Sequence, residues 1–256
     1  MNILHHPSPK DFKSFRFRKA ITERIETAER IILDELKPTR AQLTHGHDTA
    51  LGSDCYKFPH RDDGLTLEGR ETIRRMNELG VIVDIAHAGL RTALETIEVS
   101  EDPVINSHTA CKTVFDDADN RNMDDQSIRS LVKKGGLMGI YVVRGGKAWR
   151  LSPMEGYPPG TPPMSVPNTF DDLFRHLAYA IEVAGIDHVG IGTDITYLPD
   201  RPPHALDWTN WPYWTVGMVC RGLKDEEIRK ILGENFYCLA VKLLDKKPWG
   251  RLGPAD

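Results

Sequence analysis

Three histidines and one aspartate follow short apolar stretches at separate points of this 256-residue chain. They are His45 after AQLT, His87 after VIVDIA, His108 after PVINS and Asp194 after HVGIGT. Neutral imidazoles are good zinc ligands, and a nearby carboxylate can accept and return the proton of a metal-activated water. These residue types therefore predict a site for metal-dependent hydrolysis.

Each of these residues has a simpler interpretation when it is considered alone. A single histidine at a strand end is commonly a polar loop residue, and Asp194 would suit the capping of a turn. The four nevertheless occur together, each as the first ionisable residue after its apolar strand. Their joint occurrence favours a common site over four unrelated loop residues.

The elements that would position these residues repeat along the chain as strand and helix. Apolar runs predict strands at residues 41–45, 81–87, 103–108, 137–143 and 188–194. Amphipathic segments predict helices at 66–79, 90–99, 124–134, 170–185 and 224–244, and a Pro-rich loop with the segment WTNWPYW precedes the last of them. Five such βα units predict a parallel sheet covered by helices, with the four residues at the carboxyl ends of its strands.

Such units form either an open doubly wound sheet or a TIM-barrel-like α/β fold. No glycine-rich phosphate loop of the G-x-G-x-x-G or G-x-x-x-x-G-K-[ST] type follows any of the strands. We therefore expect the TIM-barrel-like fold, over residues 41–256. Residues 1–40 predict an N-terminal helical segment that begins near Ser8 and Pro9.

The composition excludes several classes of partner. With 33 basic and 37 acidic side chains the formal charge is -4, so the chain has no basic surface for nucleic acid or for an anionic membrane. The four cysteines are far apart and form no C-x-x-C pair, which predicts free thiols in a reducing compartment. No apolar run is long enough to span a bilayer, and the first residues lack the apolar core of a signal peptide. We expect a cytoplasmic protein.

Several longer motifs of the chain resemble one known family, the membrane (renal) dipeptidases, which are zinc peptidases. The resemblance runs from about Gln42 to about Leu244. It is carried by LTH (43–45), GLTLEGRETIRRMNELGVIVDIAH (64–87), PVINSH (103–108), Arg121-Asn122, AGIDHVGIGTD (184–194) and RGLKDEEIRKILGEN (221–235). The combination is specific, although no single motif is.

The resemblance implies a (β/α)₈ barrel with two zinc ions that activate a water for attack on the amide bond of a dipeptide. By motif, it implies that His87 and His108 bind the second zinc. It implies that His45 binds substrate and steadies the tetrahedral oxyanion, and that Arg121 binds the substrate carboxylate. Asp194 matches the aspartate that takes the proton of the water and passes it to the leaving amine.

The chain departs from this family before His45. The family's first strand supplies a His-x-Asp pair to the first zinc, and its third strand supplies a bridging glutamate in a Glu-Gly context. Neither motif precedes His45 in this sequence. We therefore expect a partial barrel of about five βα units and one weak or incomplete zinc site. The unpaired sheet edge would be covered by the N-terminal helix or by another subunit, which predicts a homo-oligomer.

One local motif offers a further ligand. His45 and His47 flank Gly46, and alternation along an extended strand would point both imidazoles to the same side. The residues that follow also suit the long loop after the family's fourth strand. We place His47 in that loop and keep ligation as the alternative.

The leading functional hypothesis is a metallodipeptidase that cleaves the amide bond of a dipeptide, or of a similar small amide, with zinc-activated water. A second hypothesis is a catalytically impaired remnant of the same fold that serves as a binding or oligomeric protein. A third is that the sequence is a fragment of a full-length dipeptidase.

Overall fold

The computed structural model describes residues 39–56, 61–115, 121–141, 170–194 and 211–244. The predicted N-terminal helix lies outside these residues, as do the last two residues of the predicted strand 137–143. The division of the chain at residue 40 therefore stays a prediction.

Five strands form one parallel sheet in the described part of the chain. They are β1 (Arg40–Gln42), β2 (Ile82–Asp84), β3 (Ile105–Thr109), β4 (Leu137–Ile140) and β5 (Val189–Ile191). Their spatial order is the order of the sequence, and every neighbouring pair is parallel. The predicted α/β fold of five βα units is confirmed. Within the described residues β1 and β5 are the two edges of the sheet.

Helices connect the strands and continue beyond the last one. They are α1 (Leu67–Glu78), α2 (Leu90–Val99), α3 (Asp125–Lys133), α4 (Phe170–Ala184), α5 (Pro212–Cys220), α6 (Asp225–Arg229) and α7 (Asn235–Leu244). Two of them begin at side-chain caps: Thr66 accepts from Gly69 N–H, and Asp124 accepts from Ser127 N–H. A 3₁₀ turn (Ile186–His188) leads into β5.

The C-terminal part of the chain differs from the prediction in two places. Helix α5 lies where the sequence predicts a Pro-rich loop, and its Pro212 occupies the first turn, where proline is tolerated. The predicted helix 224–244 is divided, because a π-helical segment (Lys230–Glu234) separates α6 from α7. Both differences lie beyond β5 and Asp194 in the chain.

The hydrophobic core lies between the sheet and helix α7. Ile82, Ile105 and Leu137 of three adjacent strands pack with Leu239 and Leu243 of α7, and all five side chains are buried. Burial of each such side chain contributes about 1.5–3 kcal/mol to stability. This packing holds β2, β3 and β4 in place beneath their carboxyl ends.

None of the helices in the described residues is long and apolar enough to cross a bilayer. The four cysteines are free thiols in this structure; Cys55 and Cys111 are buried, and Cys220 and Cys238 are exposed.

Candidate metal centre

His87 lies three residues after the end of β2, in an unusual backbone conformation. Its φ is 65°, a left-handed value that costs a non-glycine residue about 1–3 kcal/mol and persists only where neighbours hold it. Cys55 N–H donates to His87 O at 2.8 Å, and Ala88 N–H donates to Ile85 O at 3.1 Å. The imidazole is buried. This tight turn follows β2 and directs the imidazole of His87 toward β3.

His108 lies on a bulge in β3. Asn106 pairs with Met138 and Thr109 pairs with Ile140, so β3 has one more residue than β4 between these two pairs. A bulge of this kind bends a strand locally and redirects a side chain. Ser107 Oγ and His108 Nδ1 lie 2.8 Å apart, which fixes the rotation of the ring.

The two imidazoles meet through their Nε2 atoms. The distance between His87 Nε2 and His108 Nε2 is 3.0 Å, and the rings are inclined at 63° with centroids 5.0 Å apart. Two nitrogens on one tetrahedral zinc are roughly 3.3 Å apart, given Zn–N distances near 2.0–2.1 Å. The pair therefore fits two positions of a single zinc after a shift of a few tenths of an ångström.

Both imidazoles are neutral at ordinary pH. Burial lowers the pKa of His87 to about 2 and that of His108 to about 3, and the positive charge of Arg121 acts in the same direction on both. A neutral imidazole keeps the lone pair that a metal ligand must offer. The electrostatics of the site therefore suit metal capture.

These lowered pKa values predict that the metal-free chain loses stability in acid. Below the ordinary pKa of 6.5 the unfolded histidines gain protons that the folded ones do not accept until about pH 3 for His108 and about pH 2 for His87. Each histidine then removes about 1.4 kcal/mol of unfolding free energy per pH unit as pH falls below 6.5. Urea unfolding in chelator between pH 7.5 and pH 4.5 measures this slope.

A His108→Asn variant provides the comparison for that measurement. It removes one of the two histidines, so its slope below pH 6.5 is expected to be shallower by about 1.4 kcal/mol per pH unit. Equal slopes for the two proteins would contradict the assignment of a lowered pKa to His108.

Asp194 and His45 lie on either side of the histidine pair. Asp194 follows β5 with a φ of 49°, and its Oδ2 is 3.9 Å from His108 Nε2. That gap is too long for a direct hydrogen bond, but a water molecule can bridge it. The ring centroid of His45 is 4.7 Å from that of His87, and His45 itself is exposed. His45 therefore lies at the solvent-exposed side of the histidine pair.

Arg121 places a buried positive charge beside the pair. Its guanidinium lies 5.1 Å from the centroid of the Tyr141 ring and is hydrogen-bonded to Tyr56. Burial alone would lower the pKa of Arg121, but Tyr141 and Tyr56 together raise it. The ring of Tyr56 also meets His87 edge-on, with centroids 5.6 Å apart. Tyr56 thus contacts both a predicted metal ligand and the predicted carboxylate-binding residue.

The five predicted site residues are brought together, but they do not complete a metal shell. Among the described residues no group of three or more His, Cys, Asp or Glu side chains is placed to hold a metal ion. His47 lies exposed in the loop after β1 and does not join the histidine pair in such a group. This arrangement does not support His47 as a metal ligand.

Sequence reasoning missed three residues of the site: Asp84, Tyr56 and Tyr141. Asp84 is the one that the sequence could have indicated, because it is a carboxylate inside the apolar run VIVDIAH, and buried charges are rare unless they are paired. The two tyrosines belong to separate segments, and nothing in their spacing links them to Arg121.

Comparison with known proteins identifies relatives of this chain. The family model of the membrane dipeptidases (peptidase family M19) matches residues 34–242. An uncharacterized dipeptidase of Schizosaccharomyces pombe is 30% identical over 202 residues, which are 75% of this chain and 44% of the yeast protein. The chain therefore spans less than half the length of this relative.

Solved structures show the same fold. An amidohydrolase from Pseudomonas aeruginosa superposes with a TM-score of 0.66 at 24% identity, over 88% of this chain and 70% of that one. A metallopeptidase from Rhodobacter sphaeroides, liganded with a phosphinate mimic of the dipeptide L-Ala-D-Ala, superposes with a TM-score of 0.64 at 23% identity, over 78% and 54%.

Proposed function

This chain belongs to the membrane dipeptidase family, and we propose that it is a zinc-dependent hydrolase that cleaves the amide bond of dipeptides or similar small amides. The observation that carries the proposal is the meeting of two neutral imidazoles, that of His87 buried and that of His108 partly buried, at 3.0 Å between their Nε2 atoms. The carboxylate of Asp194 and the guanidinium of Arg121 beside them provide the other groups that such a reaction needs.

The chemistry of the donor set fits zinc. His87 and His108 would hold the ion, because both imidazoles are neutral and their Nε2 atoms face each other at the ends of neighbouring strands. A zinc bound there supplies an activated water and polarises a carbonyl group. Catalytic zinc sites usually have three protein ligands, so two histidines alone predict weak binding.

The other residues act on the substrate and on its protons. The buried guanidinium of Arg121 binds the terminal carboxylate of a dipeptide, since a desolvated cation is stabilised by an anionic partner. His45, at the open side of the pair, donates a hydrogen bond to the oxygen of the scissile carbonyl. Asp194 Oδ2 takes the proton of the attacking water and delivers it to the departing amine.

A second candidate is a binding protein of the same fold without turnover. The observation in its favour is the lack, among the described residues, of a third side chain placed to complete a metal shell. Such a protein would keep the guanidinium of Arg121 and would bind small carboxylates without cleaving them.

The two candidates are separated by one assay on the full chain. The protein is stripped of metal with chelator, titrated with zinc, and incubated with L,L- and L,D-alanyl-alanine while free alanine is measured. We expect turnover that appears with zinc and disappears with chelator. Zinc binding without turnover would support the binding protein, and neither binding nor turnover would exclude the hydrolase.

An Asp194→Asn variant tests the proton transfer separately. The amide cannot accept the proton of the water, so the rate should fall about 10²–10⁴-fold while the affinity for zinc stays the same. Asp187→Asn is the matched control, because Asp187 lies before β5, at the opposite end of that strand, and pairs with Lys230 at 2.8 Å. A fully active Asp194→Asn variant would remove the proposed role.

Two further proposals rest on the sequence alone. They are that the protein is located in the cytoplasm and that it forms a homo-oligomer. Subcellular fractionation and light scattering of the full chain would test them.

A further inference from the structure

The carboxyl group of Asp84 joins three segments of the chain. Asp84 ends β2 and is completely buried. Its Oδ1 accepts hydrogen bonds from the backbone N–H groups of Ala86 and Ser107, each at 3.0 Å. Its Oδ2 pairs with the guanidinium of Arg40 on β1.

The two backbone donors have a common relation to the site. Ala86 is the residue before His87, and Ser107 is the residue before His108. One carboxylate oxygen therefore holds the backbone N–H group of the residue that precedes each of the two histidines. We infer that Asp84 is the positioning residue that sets the distance between His87 Nε2 and His108 Nε2; this role rests on the proposed function.

The local backbone explains why these two peptide units need such an anchor. His87 has a left-handed φ of 65°, and the hydrogen bond from Ala86 N–H to Asp84 closes the turn just before it. In β3 the bulge interrupts regular pairing with β4 between Asn106 and Thr109. The Ser107 N–H, inside the bulge, donates to Asp84. Without the carboxylate, the buried N–H of Ala86 and the partly buried N–H of Ser107 would lose their acceptor.

Only an ionised carboxylate satisfies all three donors. Oδ1 takes two N–H groups and Oδ2 takes the guanidinium of Arg40, so every contact of the group is as an acceptor. An asparagine could keep Oδ1 in place only with its NH₂ group facing the Arg40 guanidinium. Both groups are hydrogen-bond donors, so the contact with Arg40 would be lost. If the amide rotates, the two N–H groups lose their acceptor. Either arrangement disturbs the turn, the bulge or both.

The test compares Asp84→Asn and Asp84→Ala with a matched control, Asn77→Ala. Asn77 is also buried and also holds backbone, since its Oδ1 accepts from Glu101 N–H at 2.8 Å, but it lies at the end of α1. Zinc affinity is measured by competition with a chromophoric chelator. For the Asp84 variants we expect a loss of about 10–100-fold, the usual effect of removing a group that orients metal ligands. Asn77→Ala should lose stability but keep the affinity.

A second readout needs neither zinc nor turnover. In the metal-free chain the contact between the two Nε2 atoms should give a downfield, slowly exchanging imidazole N–H signal in the proton NMR spectrum. We expect this signal to be lost or shifted in both Asp84 variants and unchanged in Asn77→Ala. If the wild-type chain binds no zinc and cleaves no dipeptide, the proposed function fails, while this signal still tests Asp84.

The role of Asp84 would be overturned by unchanged zinc affinity and an unchanged imidazole signal in folded Asp84 variants. Folding is checked by circular dichroism and by thermal unfolding. If the nearly isosteric Asp84→Asn chain does not fold while Asn77→Ala does, the carboxylate serves the fold as a whole, which also overturns the specific role. Loss of the signal in a folded Asp84→Asn chain supports it.

Discussion

An alanine in place of His87 is expected to abolish zinc-dependent turnover and to reduce zinc affinity by more than the roughly 100-fold that removal of an outer partner costs. The physical reason is that His87 and His108 are the two side chains whose Nε2 atoms meet in the described site. One imidazole alone cannot retain zinc against water at ordinary concentrations. Isothermal titration with zinc and the dipeptide assay measure the two effects.

The double variant His87→Ala/His108→Ala sharpens this prediction. If the two imidazoles act as one unit, the double variant should be no less active than either single variant, because the first substitution already removes the site. His188→Ala is the control: His188 is partly buried and its ring also makes a hydrogen bond, 2.7 Å from Nδ1 to Gly136 O, but it lies before β5. Substantial zinc-dependent activity in His87→Ala would refute the assignment of this ligand.

Sequence reasoning located His87, His108 and Asp194 at one edge of the molecule because parallel strands present their carboxyl ends on the same side. Periodicity identified the strands and most helices, because buried strands are apolar runs and surface helices are amphipathic. Helix α5 was not predicted from periodicity. Its sequence, PYWTVGMVC, is largely apolar all round and begins with proline, so it has no polar face to mark it as a helix.

The distance between the imidazoles could not be predicted from the sequence. The bulge in β3 depends on pairing with β4, which lies about thirty residues further along the chain, and no local pattern in PVINSH indicates an extra residue. The acceptor role of Asp84 likewise depends on the backbone of Ser107, 23 residues away. Both features arise only when neighbouring strands are in register, and together they determine where the two histidines point.

The bulge leads to the second large prediction, at Gly192 just after β5. A Cβ added at Gly192 would overlap the carbonyl oxygen of Ser107, and its next neighbour would be the Ser107 carbonyl carbon at 2.9 Å. Both belong to the backbone, so no side chain can turn away to make room. In Gly192→Ala either β5 separates from the sheet or the bulge that carries His108 moves. We expect a loss of about 3 kcal/mol in unfolding free energy, at the upper end of the usual cost of overpacking.

Gly190→Ala separates this effect from a general intolerance of side chains in β5. Gly190 is two residues earlier and points to the same side of the strand, but a Cβ there would meet Ile231 O only at 3.5 Å, an ordinary contact. Gly190→Ala should therefore change stability by less than about 1.5 kcal/mol and should keep its zinc affinity. Gly192→Ala should also lose zinc affinity, because His108 follows Ser107 directly and moves with it. Urea unfolding in chelator and zinc titration of both variants measure the two effects. If Gly192→Ala matched Gly190→Ala in both, the close approach of β5 to the bulge would have no part in positioning His108.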